Sequence, residues 1–280
     1  MSMKSKYMLY GMTGVLMALL MGACVKDELH NTPHPDQGVA AVSVDFPQGT
    51  GDDGVIEVDG EPLDGTESHP LTPGGHEVLA YNLPQGFSVT DGIAYVDAAS
   101  GTRALAAVIE PRPGYLYSGT QQIEVMADDT VRVNLQVVQR VRDLRIELDV
   151  TEGDASRIVS ATGTLTGMAG AFDLRSETLT GEPVATVSDF IHEGGTVSAD
   201  FRLLGTMGGT QTFTLVLTFT DGYVQTVESD LTDILADFNG GDYTQRFTVT
   251  GHLSVPVQGS VGGCTIDGWQ VVDAGNVDAH

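Results

Sequence analysis

The sequence predicts an all-β chain of two β-sandwich domains in tandem, and three observations carry that expectation. Glycine is abundant, at 35 of 280 residues, and valine and threonine recur throughout, a mixture of turn formers and strand formers. Short apolar runs follow one another at spacings of about 8 to 15 residues, divided by Gly, Pro and Asp. Long stretches with the i, i+3, i+4, i+7 periodicity of an amphipathic helix are missing.

The first stretch, Met1 to Cys24, stands apart from that fold. Lys4 and Lys6 open it, Tyr7 to Met21 is mostly apolar and uncharged, and Gly22-Ala23 sets small residues before a cysteine. The apolar run is about 15 residues, short of the roughly 20 that a helix needs to cross a bilayer, so residues 1–23 read as a secretory signal. The ending resembles a bacterial lipobox, which implies that Cys24 is acylated and becomes the first mature residue. Two or three acyl chains, at about 0.8 kcal/mol per buried CH₂, keep a protein on a membrane. An ordinary signal cut beyond Cys24 would leave a soluble chain instead, and the mass of the mature N-terminus separates the two.

Loss of Lys4 and Lys6 leaves eleven basic residues against thirty-eight acidic ones, a formal charge of −27. Such a surface repels nucleic acid and anionic headgroups, so the lipid must hold the chain to a membrane. With Cys24 acylated, Cys264 is the remaining thiol and no intrachain disulfide forms. The mature length suits two domains of ordinary size.

Val25 to Gly38 is polar, with Pro33 and Pro35 favouring extended backbone, and makes a tether over 24–38. At about 3.3 Å per residue it reaches roughly 45 Å. Lys26, Asp27 and Glu28 directly follow the anchor; three solvated charges are one reading, and a resemblance to the export signal of surface-exposed Bacteroidetes lipoproteins is the other. From Val39, Val42, Val44 and Phe46 alternate with Ser43 and Asp45 as a half-buried strand. Further runs at Val55–Val58, Val78–Tyr81, Ile93–Val96, Ala104–Ile109, Ile123–Met126 and Val131–Val138 complete a first domain over 39–139.

The second domain, 140–280, opens on Leu144, Ile146, Leu148 and Val150 alternating with Arg145, Glu147 and Asp149. Thr212–Thr220 places Phe213, Leu215, Leu217 and Phe219 on one face, and Asp221-Gly222 predicts a two-residue turn into Tyr223–Val227. Ser229–Phe238 reads as a short helix: Ser229 or Asp230 caps it, Leu231, Ile234, Leu235 and Phe238 share a face, and Asn239-Gly240-Gly241 ends it. Phe247–Val257 and Trp269–Val272 return to strand.

Catalytic constellations are missing: no G-x-S-x-G elbow, no phosphate-binding G-x-x-x-x-G-K-[ST], no G-x-G-x-x-G after a strand and before a helix, and no H-E-x-x-H. Cys264 lacks a neighbouring base or cation to activate it and reads as a small strand residue. His30 and His34 lie in a Pro-containing tether with no third ligand near, which argues against zinc. Asp237–Asp242 loosely resembles a calcium loop but lacks its spaced ligands and closing glutamate. Asp52-Asp53 reads as a solvated loop tip. No cofactor is expected.

Four segments together carry a family resemblance: Cys24 to Gly38, Thr164 to Glu182 (TLTGMAGAFDLRSETLTGE), Leu231 to Tyr243 (LTDILADFNGGDY) and Gly268 to His280 (GWQVVDAGNVDAH). In that order they resemble the accessory fimbrial lipoproteins of Bacteroidetes type V pili. The resemblance implies two transthyretin-like β-sandwiches and a role as anchor or accessory subunit of a fimbria on the outer membrane, facing the exterior. Its partners would be pilus subunits joined by strand addition. It also implies that stalk subunits lose their N-terminal segment to an arginine-specific protease. Here the first arginine after Cys24 is Arg103, which favours a retained lipid and an anchor. The glycine-punctuated stretch Val255 to His280 is the candidate exchange edge, or else it completes its own domain. A surface glycan-binding or adhesin module with the same β-sandwich body is the competing reading, and it requires an exposed aromatic platform. An enzyme is the third, disfavoured by the missing chemistry.

Overall fold

A computed structural model describes residues 36–47, 54–63, 68–99, 107–257 and 263–272. The signal segment, Cys24, Lys26, Asp27, Glu28, His30, His34, Asp52-Asp53, Arg103 and the residues after Val272 lie outside the described residues.

Alternation gives each apolar run one buried face, and the runs become strands. The first half holds β1 (Gly38–Val44), β2 (Gly54–Val58), β3 (Glu61–Pro62), β4 (His69–Leu71), β5 (Gly74–Asn82), β6 (Phe87–Thr90), β7 (Ile93–Val96), β8 (Val108–Ile109), β9 (Tyr117–Val125), β10 (Thr130–Leu135) and β11 (Val138–Gln139). The second holds β12 (Arg142–Glu152), β13 (Ile158–Met168), β14 (Ala171–Asp173), β15 (Thr178–Thr180), β16 (Val184–Glu193), β17 (Thr196–Leu203), β18 (Thr212–Phe219), β19 (Val224–Asp230), β20 (Phe247–Ser254) and β21 (Thr265–Val272). They form sheets β10-β1-β4, β11-β9-β5-β2-β3 and β15-β14-β7-β6, and one large sheet running β19-β18-β13-β16-β17-β12-β20-β21 with β8 beside β16. The all-β sandwich expectation holds.

β5 shows how the first half stacks. Its Val78 and Ala80 meet Ala40, Val42, Val133 and Leu135 on one side, while Leu79 and Tyr81 meet Phe87, Val96, Leu116 and Phe172 on the other. A strand buried on both faces is the middle of three layers, which explains its unbroken apolar run. In the second half β16 turns the corner between layers: its Val184–Phe190 stretch pairs with β13 and Ile191–Glu193 with β17. The large sheet thereby folds face to face, with Leu144, Ile146 and Leu148 of β12 in one core with Phe213, Leu215 and Leu217 of β18. Burying each such side chain contributes about 1.5–3 kcal/mol.

Strands cross between the halves in both directions. The β14–β15 hairpin pairs with β7, and β8 pairs in parallel with β16. Neither exchange is visible in the alternation pattern, because the strands are two or three residues long.

Two local expectations are corrected. Over Ser229–Phe238 the chain forms no regular helix: β19 continues to Asp230, and residues 232–239 are successive turns. One i→i+4 bond survives, Leu235 N–H to the Leu231 carbonyl at 2.9 Å; Phe238 and Gly240 donate instead to carbonyls three residues back. The apolar face is as the periodicity has it, with Leu231, Leu235 and Phe238 in the core. Its last carbonyl goes elsewhere: Arg142 Nη1 donates to Phe238 O (3.0 Å), and to Gly240 O (2.8 Å) just beyond, while the Asn239 side chain exchanges two hydrogen bonds with the Thr206 backbone. In the β18–β19 hairpin, Gly222 N–H donates to Phe219 O (2.8 Å) and Phe219 N–H to Tyr223 O (2.9 Å). The turn therefore centres on Thr220-Asp221, and Gly222 at φ +79° is a bulge residue in a three-residue loop.

Candidate subunit interface

The stretch predicted as an exchange edge contains β21, the last strand of the large sheet, which among the described residues pairs antiparallel to β20 alone. Thr248 to Ser254 of β20 meet Val272 to Thr265, with a register shift between Thr250 and His252. The shift comes at Gly268, whose φ of +63° favours glycine and whose Cβ would meet His252 Cδ2 at 2.5 Å. The bulge re-aims Trp269 inward. Opposite it Gly251 leaves the room, since a Cβ would stand 3.0 Å from the indole and 3.2 Å from Leu148.

Trp269 is the anchor of this strand. Its ring meets Phe213 of the facing layer edge-on, centroids 5.9 Å apart, a geometry that adds to burial. Yet the indole N–H is buried with no hydrogen-bond partner in the structure, and an unsatisfied buried donor costs about 1–3 kcal/mol. Beyond it Val271 and Val272 are exposed at 41% and 43%, large apolar side chains on an edge strand. Cys264, directly before β21 rather than within a strand, donates its backbone N–H to Gln225 Oε1 at 3.2 Å. Its thiol is pushed up by burial, the reverse of what a nucleophile needs.

At the opposite end of the chain β1 is held on both sides. It pairs in parallel with β10 from Val39 to Val44 and antiparallel with β4 over Gly38–Ala40, and it buries Ala40 and Val42. The body between is stapled by arginines. Arg175, at the tip of the β14–β15 hairpin, reaches Glu77 Oε1 (2.6 Å) and Glu57 Oε2 (2.7 Å) of the first half. Arg202 lies 3.7 Å above the Tyr115 ring and donates to Asp143 Oδ1 (3.0 Å), whose other oxygen accepts from Tyr115 OH (2.7 Å). Arg140 pairs with Glu177 and stacks over Phe172.

A cavity of about 680 Å³ opens at this junction, between Tyr117, Gln139, Phe172, Leu179, Asn239 and Tyr243. Its amides are committed internally: Gln139 Nε2 to Val141 O and Tyr243 O, Asn239 to Thr206. Asp242 of the loosely calcium-like stretch caps Thr244, and that bonding holds its carboxyl below the usual range. Among the described residues no three His, Cys, Asp or Glu side chains gather as metal ligands.

The family model of the fimbrillin-A associated anchor proteins Mfa1 and Mfa2 matches residues 54–275. The chain belongs to that family. Among solved structures similar in fold are the fimbrial anchor protein Mfa2 of Porphyromonas gingivalis and candidate adhesins of Bacteroides ovatus and Bacteroides thetaiotaomicron. The Mfa2 structure matches with a TM-score of 0.51 at 12% identity, over 84% of this chain and 97% of that one. For the B. ovatus protein the TM-score is 0.56 at 16% identity, over 75% and 87%. For the B. thetaiotaomicron protein it is 0.51 at 13%, over 86% and 99%. No curated protein matches in sequence. At these identities the structures speak to the fold alone; membership of the anchor family makes the chain a fimbrial anchor or accessory subunit at the cell surface.

Proposed function

We propose that this anchor-family protein is a lipoprotein held in the outer membrane by an acylated Cys24 and facing the exterior, with Lys26, Asp27 and Glu28 as its export signal. It joins fimbrial subunits by β-strand addition through the stretch Val255 to His280. The observation that carries the strand reading is β21: among the described residues an edge strand paired on one side, seated by Ile266 and by an indole whose N–H has no partner, with exposed Val271 and Val272. The two sandwiches, over 39–139 and 140–280, serve as a spacer between lipid and filament. With no arginine between Cys24 and Val39, β1 and the lipid stay in place, as an anchor requires. No catalytic role is proposed. Among the described residues the aromatics exposed by more than a third are Tyr95 and Tyr223, one in each half, which supports strand addition over a stacked sugar platform.

The test is removal of Gly268–His280 from the chain in its own cells. The expected result is a protein still lipidated and displayed, with filaments shed into the medium and no longer co-purifying with it. Filaments retained and co-purifying as before would refute strand addition at this edge. A mature N-terminus with an unmodified thiol, or beginning past Val39, would refute the anchor.

A further inference from the structure

At the rim of the first sandwich His76 of β5 points into the core side, on the face of Val78 and Ala80, and is 8% exposed. Its Nδ1 lies 2.6 Å from Asp59 Oδ2 and its Nε2 lies 2.7 Å from the Thr72 carbonyl oxygen. An ionised carboxylate and a backbone carbonyl accept hydrogen bonds and donate none. A neutral imidazole has one N–H, so it can satisfy one of these contacts and must set a lone pair against the other. Both distances suit hydrogen bonds only if both nitrogens carry protons.

We propose that His76 is an imidazolium clasp that ties the β2–β3 turn to the β4–β5 connection and loosens β4, and with it the start of β1, when it loses its proton. Each end of the clasp is built in. Asp59 sits at the turn with φ +53° and accepts the Glu77 N–H on its second oxygen at 2.9 Å, while its own N–H donates to Glu77 O. Thr72 directly follows β4, and β4 covers β1 at Gly38–Ala40, where the first described strand begins. The charged groups around the ring agree with a cation. Asp59 faces it from the β2–β3 turn and Glu124 from β9; Glu77 is on its own strand, and Arg175 from the β14–β15 hairpin acts on Asp59.

The direction of the pH dependence follows. The hydrogen bonds to Asp59 and then Thr72 raise the His76 pKa above its ordinary 6.5, against a smaller opposing effect of burial. Asp59 is held low by the Glu77 N–H and His76, so it stays ionised across the range in which the histidine titrates. A raised folded value means that the clasp's stabilisation is complete below the ordinary value and is lost as pH climbs through the folded one. The inference stands whether or not β21 is a site of strand addition.

Two readouts on the full mature chain test it. Nitrogen-15 spectra of the histidine rings at pH 6.5 are expected to show His76 with both nitrogens protonated and a midpoint above 6.5. Amide protection factors at His69, Leu71 and Gly38–Ala40 are expected to fall about tenfold across that midpoint, the loss of one charge-assisted hydrogen bond, while those in β12 hold. His76→Gln, which can donate to one partner but not both, is expected to show the low protection at every pH. A singly protonated His76 at pH 6.5, or β4 and β1 protection unchanged across its titration, would overturn the proposal.

Discussion

Arg142 turns an isolated charge into a structural centre. It is 8% exposed; its Nη1 and Nε donate to the carbonyls of Phe238, Gly240 and Gln245, and its guanidinium lies 5.0 Å from the Phe247 ring centroid. Phe238 ends the stretch with helical spacing, and Gly240 and Gln245 lie beyond it, so no helix over Ser229–Phe238 would satisfy these carbonyls from within. Arg142→Met keeps the volume and removes the donors, and leaves the three carbonyls without this partner. The expected cost is about 3 kcal/mol, seen as a lower denaturant midpoint at unchanged slope. A loss below about 1 kcal/mol would mean that water replaces the guanidinium. In the sequence Arg142 is one more charge before the alternation of β12, so its role was illegible: spacing places a side chain on a face but says nothing about distant carbonyls. Gly163 was equally silent, a glycine within β13 where a Cβ would meet Phe190 Cε2 at 2.3 Å and Phe213 Cε2 at 2.9 Å. Among the described residues the candidate site was legible as an edge, from valines and glycines near the C-terminus; the bulge and the unpaired indole were not.

Elements were legible in proportion to their length. β12 and β18 announce themselves because eight or more residues alternate, and a one-residue slip would turn every Leu and Phe outward. β8, β14 and β15 carry too few residues to show a period, so the crossing of strands between halves could not be read. Ser229–Phe238 misled for a different reason: its apolar spacing is helical and its burial agrees, but its backbone closes mostly i→i+3 bonds and forms turns. For β21 the decisive residue is Trp269, and two substitutions separate its ring from its N–H. Trp269→Phe retains an edge-on contact with Phe213 and removes the unpaired donor, so it is expected to cost less than about 1 kcal/mol. Trp269→Ala leaves a cavity beneath the sheet edge and is expected to cost about 3 kcal/mol. Equal losses in the two variants, measured by chemical denaturation, would mean that the indole N–H has a partner in solution.

At the scale of the molecule, positive charge is spent holding the halves together. No lysine follows Lys26, and Arg140, Arg175 and Arg202 each pair with a carboxylate across or beside the junction. The outward surface is left strongly acidic, so copies of this chain repel one another and a partner must bring complementary charge or an apolar strand. The halves also share sheets: β14 pairs with β7 and β8 with β16, and the core that contains Leu79 and Phe87 of the first half contains Phe172 and Leu204 of the second. In the role proposed for it, between a membrane lipid and a filament, the chain carries load through this junction, and shared strands load hydrogen bonds from both sides at once. Two sandwiches joined in this way cannot melt independently without breaking each other's sheets. Scanning calorimetry of the mature chain is therefore expected to show one transition whose calorimetric and van't Hoff enthalpies agree. Arg175→Ala removes two partly exposed ion pairs worth about 1 kcal/mol together, and is expected to lower the midpoint by about 2–4 °C without dividing the peak. Two resolved transitions in the unaltered protein would mean that the exchanged strands are ornaments on two self-sufficient sandwiches, and that the junction does not couple their unfolding.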